Sequence, residues 1–310
     1  MISTQKHIPV MLKEVLQYLK PQDNKTYVDA TFGNGGYTCA ILDSANCKVI
    51  AIDRDPTVLP RVEELKQIYG SRFEFISGRF GNIKELITKP VDGFVFDIGV
   101  SSMQLDQAQR GFSFSKEAPL DMRMSLTGTS AADIVNNSEE KELADLIYAY
   151  GEEKKSRLIA RKIVEYRKNK PIKTTTELAE IIYSVIHKTY GQIDPATRTF
   201  QALRIAVNEE LKELENGLKA AAELLKPEGR LVVVDFHSLE DRIVKKFFNT
   251  KAGKTEGISR YMPQIKTSTD IFFEIISKAI MPSEEECKQN SRARSAKLRY
   301  AIRAKGVKND

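Results

Sequence analysis

A glycine-rich turn is the feature of the sequence that most clearly indicates chemistry. In Asp29-Ala-Thr-Phe-Gly-Asn-Gly-Gly-Tyr-Thr38, an apolar run leads into glycines that open a helical stretch. Glycines there let the backbone approach a ligand closely and suit a tight turn. A plain structural turn has the same composition, so the turn alone predicts a ligand without specifying it.

A carboxylate follows the turn at an informative distance. Asp53 ends the next apolar run, seventeen residues after Gly36. An acid at the end of the second strand of such a unit can accept hydrogen bonds from both hydroxyls of an adenosine ribose. The turn and Asp53 together predict that the chain binds a nucleoside cofactor.

The sequence also narrows the kind of cofactor. The phosphate-binding pattern GxxxxGK[ST] is absent, and no Lys follows the glycines. A dinucleotide fingerprint would need a third glycine at the position of Thr38. S-adenosylmethionine has no pyrophosphate and can do without this fingerprint. It is therefore favoured, while a nicotinamide-dependent dehydrogenase stays open as the alternative.

Two further polar residues come after apolar runs. Asp97 lies in Phe94-Val-Phe-Asp-Ile-Gly-Val-Ser-Ser102, where a carboxylate at the end of a strand is either a functional group or a cap for the next turn. His237 follows a later apolar run and could line the same cleft, whereas His7 and His187 are predicted to be structural or solvated. No grouping of His, Cys and carboxylates has metal-ligand spacing, so no metal site is predicted.

The elements that would position these residues alternate over the first 105 residues. Strands are predicted at 27–32, 48–53, 73–77 and 93–98, and helices at 37–42, 56–69 and 83–88. This alternation is typical of an α/β fold with a parallel sheet, which binds ligands at the carboxyl ends of its strands.

The pattern changes after Ser102. Residues 104–129 are loop-like, and apolar residues three or four apart predict an all-helical insertion from 139 to 190. A long helix at 200–225 then ends at Lys226-Pro227-Glu228-Gly229, and a strand follows at 230–236. Runs at 271–281 and 296–304 are predicted as an antiparallel pair at the sheet edge. We therefore expect a discontinuous domain of residues 1–105 and 200–310, interrupted by a helical subdomain at 106–199.

Bulk properties limit the functional classes. The three cysteines lack CxxC spacing, no apolar run is long enough to span a bilayer, and the first residues do not resemble a signal peptide. A cytoplasmic protein that contacts no membrane is predicted.

Charge is unevenly distributed along the chain. Between Lys154 and Lys173 nine Lys or Arg stand against one acid, and eight in residues 287–310 stand against Asp310 alone. A basic run forms either a solvated face or a surface for polyanions, and two such runs in one chain favour nucleic acid.

Nine motifs, in order along nearly the whole chain, resemble the RsmH (MraW) family. They are His7-Ile-Pro-Val-Met-Leu, the turn at 33–38, Ala51-Ile-Asp-Arg-Asp-Pro56, Asp97-Ile-Gly-Val-Ser-Ser102, Gln109-Arg-Gly-Phe-Ser-Phe114, Pro119-Leu-Asp-Met-Arg-Met124, Pro195-Ala-Thr-Arg-Thr-Phe-Gln-Ala-Leu-Arg204, His237-Ser-Leu-Glu-Asp-Arg242 and Arg292-Ala-Arg-Ser-Ala-Lys-Leu-Arg299. The ordered set is far more specific than any single motif.

The resemblance implies a Rossmann-like class I methyltransferase sheet with an inserted all-helical subdomain that recognises RNA. It also implies methyl transfer from S-adenosylmethionine to the N4 amino group of a cytidine in the decoding region of small-subunit (16S) ribosomal RNA. The partner would be this RNA, within an assembled or assembling small ribosomal subunit, and a homodimer is left open. Cofactor contacts are implied at Gly35, Gly36, Tyr37, Asp53, Phe80, Asp97 and Gln104.

Two positions depart from the family pattern. Tyr37 stands where the family commonly has His, and Asp194 precedes Pro195 where His is commoner. At Tyr37, in the cofactor turn, the side chain differs from the family pattern, but a contact of its backbone with the cofactor could be retained. The second is expected to affect RNA docking more than catalysis.

Methyl transfer to an amine sets requirements that the sequence can be searched for. The amine must be aligned with the breaking bond, and acceptors on its N–H groups would orient its lone pair. We expect Asp97, or nearby backbone carbonyls, to be those acceptors. Phe112 and Phe114 either receive the unpaired base or pack between the insertion and the sheet. A noncatalytic RNA-binding protein with the same fold is a third functional class.

Overall fold

The computed structural model describes residues 9–101, 104–105, 107–189, 191–254 and 271–306. The strands in these ranges are β1 (Thr26–Asp29), β2 (Lys48–Asp53), β3 (Phe73–Ser77), β4 (Val91–Asp97), β5 (Leu225–Asp235), β6 (Phe273–Ile276) and β7 (Lys297–Arg303). The α-helices are α1 (Leu12–Leu19), α2 (Gly36–Ser44), α3 (Leu59–Tyr69), α4 (Ile83–Leu86), α5 (Ala131–Asn137), α6 (Glu140–Gly151), α7 (Ser156–Arg167), α8 (Thr175–Tyr183), α9 (Ala196–Asn208), α10 (Glu210–Leu224), α11 (Ser238–Lys251) and α12 (Glu284–Gln289).

The strands form one sheet in the order β3-β2-β1-β4-β5-β7-β6. Strands β1 to β5 pair in parallel, and β7 pairs antiparallel with both β5 and β6. The chain order reverses direction between β1 and β4, which is the position where doubly wound sheets bind ligands. The predicted α/β fold, its parallel sheet and the antiparallel edge pair are confirmed.

The sheet has apolar residues on both faces because helices cover both. One face contributes Val28, Ile52, Phe94, Phe96 and Val233 to a core with α10 and α11. Helices α1 to α3 contact the strands from the opposite face of the sheet. Burial on both sides explains why β4 and the second half of β5, residues 231–234, read as nearly continuous apolar runs, as expected for central parallel strands.

Two sequence predictions are corrected by the structure. The helix expected at 200–225 is two helices, α9 and α10, because Glu209 between them has a left-handed backbone with φ 53°. Residues 226–229, expected as a turn after the helix, lie inside β5. They form a bulge there, since Val91 pairs with Leu225 but Gly93 pairs with Arg230.

The chain divides into two compact units. The first contains Met1–Gly99 and Leu211–Asp310 and holds the sheet, and the second contains Val100–Glu210. The second unit has its own apolar core, formed by α5 to α9 and by the loop residues Phe112, Leu120 and Met122. No helix in the described part of the chain has both the length and the apolar character needed to cross a membrane.

Asn208 holds the irregular loop of the second unit against α9. Its Oδ1 accepts from the Met124 backbone N–H at 2.9 Å, and its Nδ2 donates to the carbonyls of Met122 at 2.8 Å and Arg204 at 2.9 Å. Asn208 is fully buried, so truncation would leave buried backbone groups without partners.

We expect Asn208→Ala to lower the free energy of unfolding by about 3 kcal/mol, because each buried orphaned group costs about 1 to 3 kcal/mol. Asn137→Ala is the matched control, since Asn137 is an exposed helical asparagine. Denaturant unfolding of both variants is the measurement. Equal stability of the two variants would contradict this role for Asn208.

Candidate active site

Three aspartates share one face of the sheet at the carboxyl ends of neighbouring strands. In the parallel register Asp29 of β1 pairs with Ala51 of β2 and with Val95 of β4. Paired residues lie on the same face, and side chains alternate with a period of two. Asp53 and Asp97, each two residues further along, therefore lie on the face of Asp29.

The glycine turn is tied to these strand ends by two carboxylates. The Thr38 hydroxyl donates to Asp29 Oδ2 at 2.7 Å, and both residues are fully buried. The Gly33 backbone N–H donates to Asp53 Oδ2 at 2.7 Å, and Asp53 Oδ1 accepts from the Asp55 backbone N–H at 2.9 Å. Burial raises the pKa of both groups, that of Asp29 to about 6.

Helix α2 begins at this turn without a side-chain cap. Its N-cap residue Gly35 has φ 74°, a left-handed conformation that favours glycine. A Cβ on Gly35 would also lie 2.8 Å from Leu65. The uncapped first turn leaves the N-terminus of α2 suited to a carboxylate or another anion.

Asp97 differs from Asp29 and Asp53 in the hydrogen bonding of its carboxyl group. Its backbone N–H donates to the Thr31 hydroxyl at 2.7 Å, which fixes the residue at the end of β4. Its Oδ1 is buried and has no hydrogen-bond partner among the described residues. Burial, and then the nearby carboxylates of Asp29 and Glu240, raise the pKa of Asp97 to about 8.

Phe80 lies just beyond the end of β3, in a short 3₁₀ turn. Its ring packs edge to face against Phe96, with centroids 5.7 Å apart. Gly217 of α10 leaves room for this ring, because a Cβ there would lie 2.8 Å from it. Glu213 fixes the same turn by accepting from the Gly81 backbone N–H at 3.1 Å and from Arg79 at 3.2 Å.

The remaining residues that the sequence predicts to bind the cofactor belong to two different units of the chain. Gly35, Gly36 and Tyr37 lie together at the turn, where the Tyr37 ring is buried and its hydroxyl donates to the Val10 carbonyl. Gln104 belongs to the second unit, where its Oε1 accepts from the Ser101 backbone N–H at 3.0 Å.

Asp235, His237 and His187 lie in three different surroundings. His237 caps the start of α11, and its Nε2 lies 3.0 Å from Glu240 Oε1. Asp235 pairs in β5 one residue beyond Val234, the partner of Asp97, so its side chain lies on the opposite face of the sheet. His187 is exposed in the second unit, and His7 lies outside the described residues.

Both aromatic candidates for receiving a base lie in the second unit. Phe112 is 8% exposed and belongs to the apolar core of that unit. Phe114 packs edge to face on Phe200, with centroids 5.0 Å apart. The two rings therefore pack within the helical unit, and little of Phe112 is exposed for stacking on a base.

Asp194, one of the two departures from the family pattern, has a structural function. Its Oδ1 accepts from the Ala196 backbone N–H at 2.9 Å at the start of α9, and also from the Tyr183 hydroxyl at 3.0 Å. Lys188 pairs with its Oδ2 at 3.1 Å. These contacts hold the pKa of Asp194 below its usual range, so the side chain is a charged anchor for the segment before α9.

Sequence reasoning did not assign functions to Asp29 and Thr31. Asp29 lies inside the strand predicted at 27–32, and only the structure shows that β1 ends at this residue, as β2 ends at Asp53. Thr31 had no local signal, because its contact with Asp97 depends on the pairing of β1 with β4.

These residues fit a nucleoside cofactor that carries a carboxylate and a positive charge. The uncapped helix suits the carboxylate, the Asp53 oxygens keep acceptor capacity for ribose hydroxyls, and the unpaired Asp97 oxygen suits a cationic group. The strand order, with β7 antiparallel between β5 and β6, and the helical insertion define a Rossmann-like class I methyltransferase. The predicted fold class is thus confirmed.

Comparison with known proteins gives the particular family. The model of the MraW methylase family matches residues 4–304, so the chain belongs to this family. The chain is 55% identical over 306 residues to a ribosomal RNA small subunit methyltransferase H of Parvibaculum lavamentivorans, covering 97% of this chain and 90% of the relative. Proteins of the same name from Paramagnetospirillum magneticum and Rickettsia massiliae are 53% and 55% identical, covering 97% and 96% of this chain and 97% and 98% of theirs.

The buried Asp97 carboxyl makes the stability of the ligand-free protein depend on pH. Folding raises its pKa from 3.8 to about 8, so the folded state favours the protonated form and stability is lost as pH rises through this window. The side chain of the Asp97→Asn variant cannot ionise. We therefore expect the stability of this variant relative to the wild type to increase from pH 4 to pH 8 and to stay constant above pH 8. Melting temperatures across this range test the prediction, and a difference that does not change with pH would contradict it.

Proposed function

We propose that the chain transfers a methyl group from S-adenosylmethionine to the N4 amino group of a cytidine in small-subunit ribosomal RNA. Membership of the MraW methylase family supports this activity, as do the relatives named ribosomal RNA small subunit methyltransferase H. The observation that carries the proposal is the set of Asp29, Asp53 and Asp97 around the glycine turn, at the end of the sheet where such folds bind ligands. Action on an assembled or assembling subunit, in the cytoplasm, belongs to the same proposal.

Each group of the cofactor has a complementary group in the first unit. The backbone of Gly35, Gly36 and Tyr37 at the start of α2 would bind the carboxylate of the methionine part. Asp53 would accept hydrogen bonds from the ribose hydroxyls, and Phe80 would lie beside the adenine. Gln104 stays a predicted contact from the second unit.

S-adenosylmethionine, when bound, supplies a methyl group on a positively charged sulfur that leaves as a neutral thioether. Asp97 responds to that positive charge, because a neighbouring cation lowers the pKa of a buried carboxyl and restores its negative form. The ionised carboxylate can accept an N–H of the target amine and orient its lone pair. The alternative use of the same oxygen is a contact with the methionine ammonium.

RNA binding is proposed for a stripe of basic residues formed by α7 and its C-cap residue Lys168, consistent with RNA recognition by residues 106–199. Arg157, Arg161 and Lys168 repeat at intervals of four and seven, which places them on one side of the helix away from its buried residues. Arg161 lies 3.7 Å from Glu140. Arg157 and Lys168 are exposed, and Lys168 lies near enough to Glu165 to help Lys162 lower the pKa of that carboxyl. Exposed guanidinium and ammonium groups at this spacing suit phosphates along a nucleic-acid strand.

Cofactor affinity distinguishes this proposal from a dehydrogenase. We expect the protein to bind S-adenosylmethionine and not NAD, and Asp53→Ala to weaken binding about 30- to 1000-fold through loss of charge-assisted hydrogen bonds. Asp145→Ala, at an exposed helical aspartate of the second unit, is the control. Calorimetry with NAD bound in preference to S-adenosylmethionine would overturn the proposal, and an unaffected Asp53→Ala variant would remove Asp53 from the site.

Salt dependence locates the RNA surface. Replacing Arg157 and Lys168 with Gln should reduce the slope of log affinity against log salt by about 1.4 to 1.8, if each side chain meets one phosphate. The competing surface is tested by replacing Arg292 and Arg294, of which Arg294 is exposed and Arg292 half-buried. A changed slope in the second pair alone would place the RNA on the C-terminal basic segment.

A further inference from the structure

The start of the described chain packs directly on the cofactor turn. The ring of Pro9 occupies the space beside Gly36, where an added Cβ would lie only 2.2 Å from Pro9 Cγ. Val10 is 5% exposed and Met11 is fully buried. Gly36 is therefore required for this close approach, in addition to any contact of its backbone with a ligand.

Two side chains hold these residues in place. The Tyr37 hydroxyl donates a hydrogen bond to the Val10 carbonyl, and the Met11 backbone N–H donates to Glu286 Oε1 at 2.6 Å. Glu286 lies on α12, whose N-cap Ser283 accepts from the Glu286 backbone N–H at 3.1 Å. The segment is thus held from both sides, by the first turn of α2 and by a helix 275 residues away in sequence.

Met11 shows that the conformation is imposed by these contacts. Its backbone is left-handed, with φ 52° and ψ 34°, a conformation that is unfavourable for a residue with a side chain. The same residue is the N-cap of α1 and has no side-chain cap. The hydrogen bond to Glu286 and the complete burial of Met11 compensate for this cost.

The Tyr37 hydroxyl is a dependable donor. Burial raises its pKa well above the usual range, and the carboxylates of Asp97 and Asp29 raise it further. The group therefore stays protonated throughout the physiological range and donates to the Val10 carbonyl. Tyr37 belongs to the first turn of α2, so its side chain links the cofactor turn to the 9–11 segment.

We propose that Tyr37 and Glu286 are positioning residues for the cofactor turn, which they fix by holding residues 9–11 against the first turn of α2. The inference rests on the proposed function, since the turn is the part of the site assigned to the methionine carboxylate. It gives the Tyr37 side chain a function of its own, separate from the backbone contact. Neither side chain needs to touch the cofactor to change its affinity.

The test removes each hydrogen-bonding group separately and includes matched controls. Tyr37→Phe removes only the hydroxyl, and Glu286→Ala removes the acceptor, while Glu286→Gln keeps an acceptor oxygen and should retain the wild-type behaviour. Tyr148→Phe is the control, because Tyr148 is 62% exposed. Calorimetry with S-adenosylmethionine and with its demethylated product S-adenosylhomocysteine gives affinities without turnover.

We expect Tyr37→Phe and Glu286→Ala each to weaken both ligands about 5- to 20-fold, and Glu286→Ala to leave the single-turnover rate at saturating cofactor nearly unchanged. Amide exchange at Met11 should accelerate in both variants. The double variant should be weakened by less than the product of the single effects, because both changes release the same segment.

The outcomes separate this proposal from the proposed function. If the wild type binds neither ligand, the proposed function fails. If the wild type binds both and the variants bind equally well, the positioning role is overturned, even where the melting temperature falls. Weakened binding by Glu286→Gln equal to that of Glu286→Ala would also overturn it, because the acceptor oxygen would then be irrelevant.

Discussion

The carboxylates of Asp29 and Asp53 are the constraint on which the geometry of the candidate site depends. An ionised carboxylate in a protein interior must be hydrogen-bonded. Besides the Thr31 and Asp55 backbone N–H groups, two donors bind these acids, the Thr38 hydroxyl on Asp29 and the Gly33 backbone N–H on Asp53. Both donors belong to the glycine turn. The need to satisfy the two acids therefore fixes the turn, and with it the direction in which α2 leaves the sheet.

Asp97 shows the opposite arrangement at the next strand. Its backbone is fixed by Thr31, but its Oδ1 has no partner among the described residues and its pKa is raised to about 8. A group in this state is destabilising in the ligand-free protein and gains most from a cation. Asp29 and Asp53 thus fix the turn by accepting its hydrogen bonds. The unpaired oxygen of Asp97 can gain a partner when a cofactor binds.

Much of the fold followed from the sequence because apolar runs and their ends coincide with strands. Residues 48–53 and 73–77 were predicted with the bounds of β2 and β3. The break at Glu209 was missed because glutamate is a good helix former, and its left-handed backbone is visible only in three dimensions. The bulge in β5 was missed for a related reason, since Pro227 and Gly229 are typical of a turn and also fit a bulge.

The candidate site was predicted where one local signal was sufficient. Asp53 and Asp97 each end an apolar run, and their convergence follows from the parallel register. The contacts of Tyr37 with Val10 and of Glu286 with Met11 join distant parts of the chain and have no sequence periodicity. Asp194 was expected to matter for RNA docking, and that expectation stays a prediction beside its observed contacts with Lys188 and Tyr183.

The proposed methylation of cytidine N4 can be measured directly as transfer of an isotopically labelled methyl group. The purified protein would be incubated with S-adenosylmethionine labelled in its methyl group and with small-subunit ribosomal RNA, both free and in assembled subunits, from cells that lack the protein. Digestion to nucleosides and mass spectrometry then identify the labelled product. We expect label in N4-methylated cytidine with at least one of the two substrates. Label in another nucleoside, or none with either substrate despite binding of the cofactor, would contradict it.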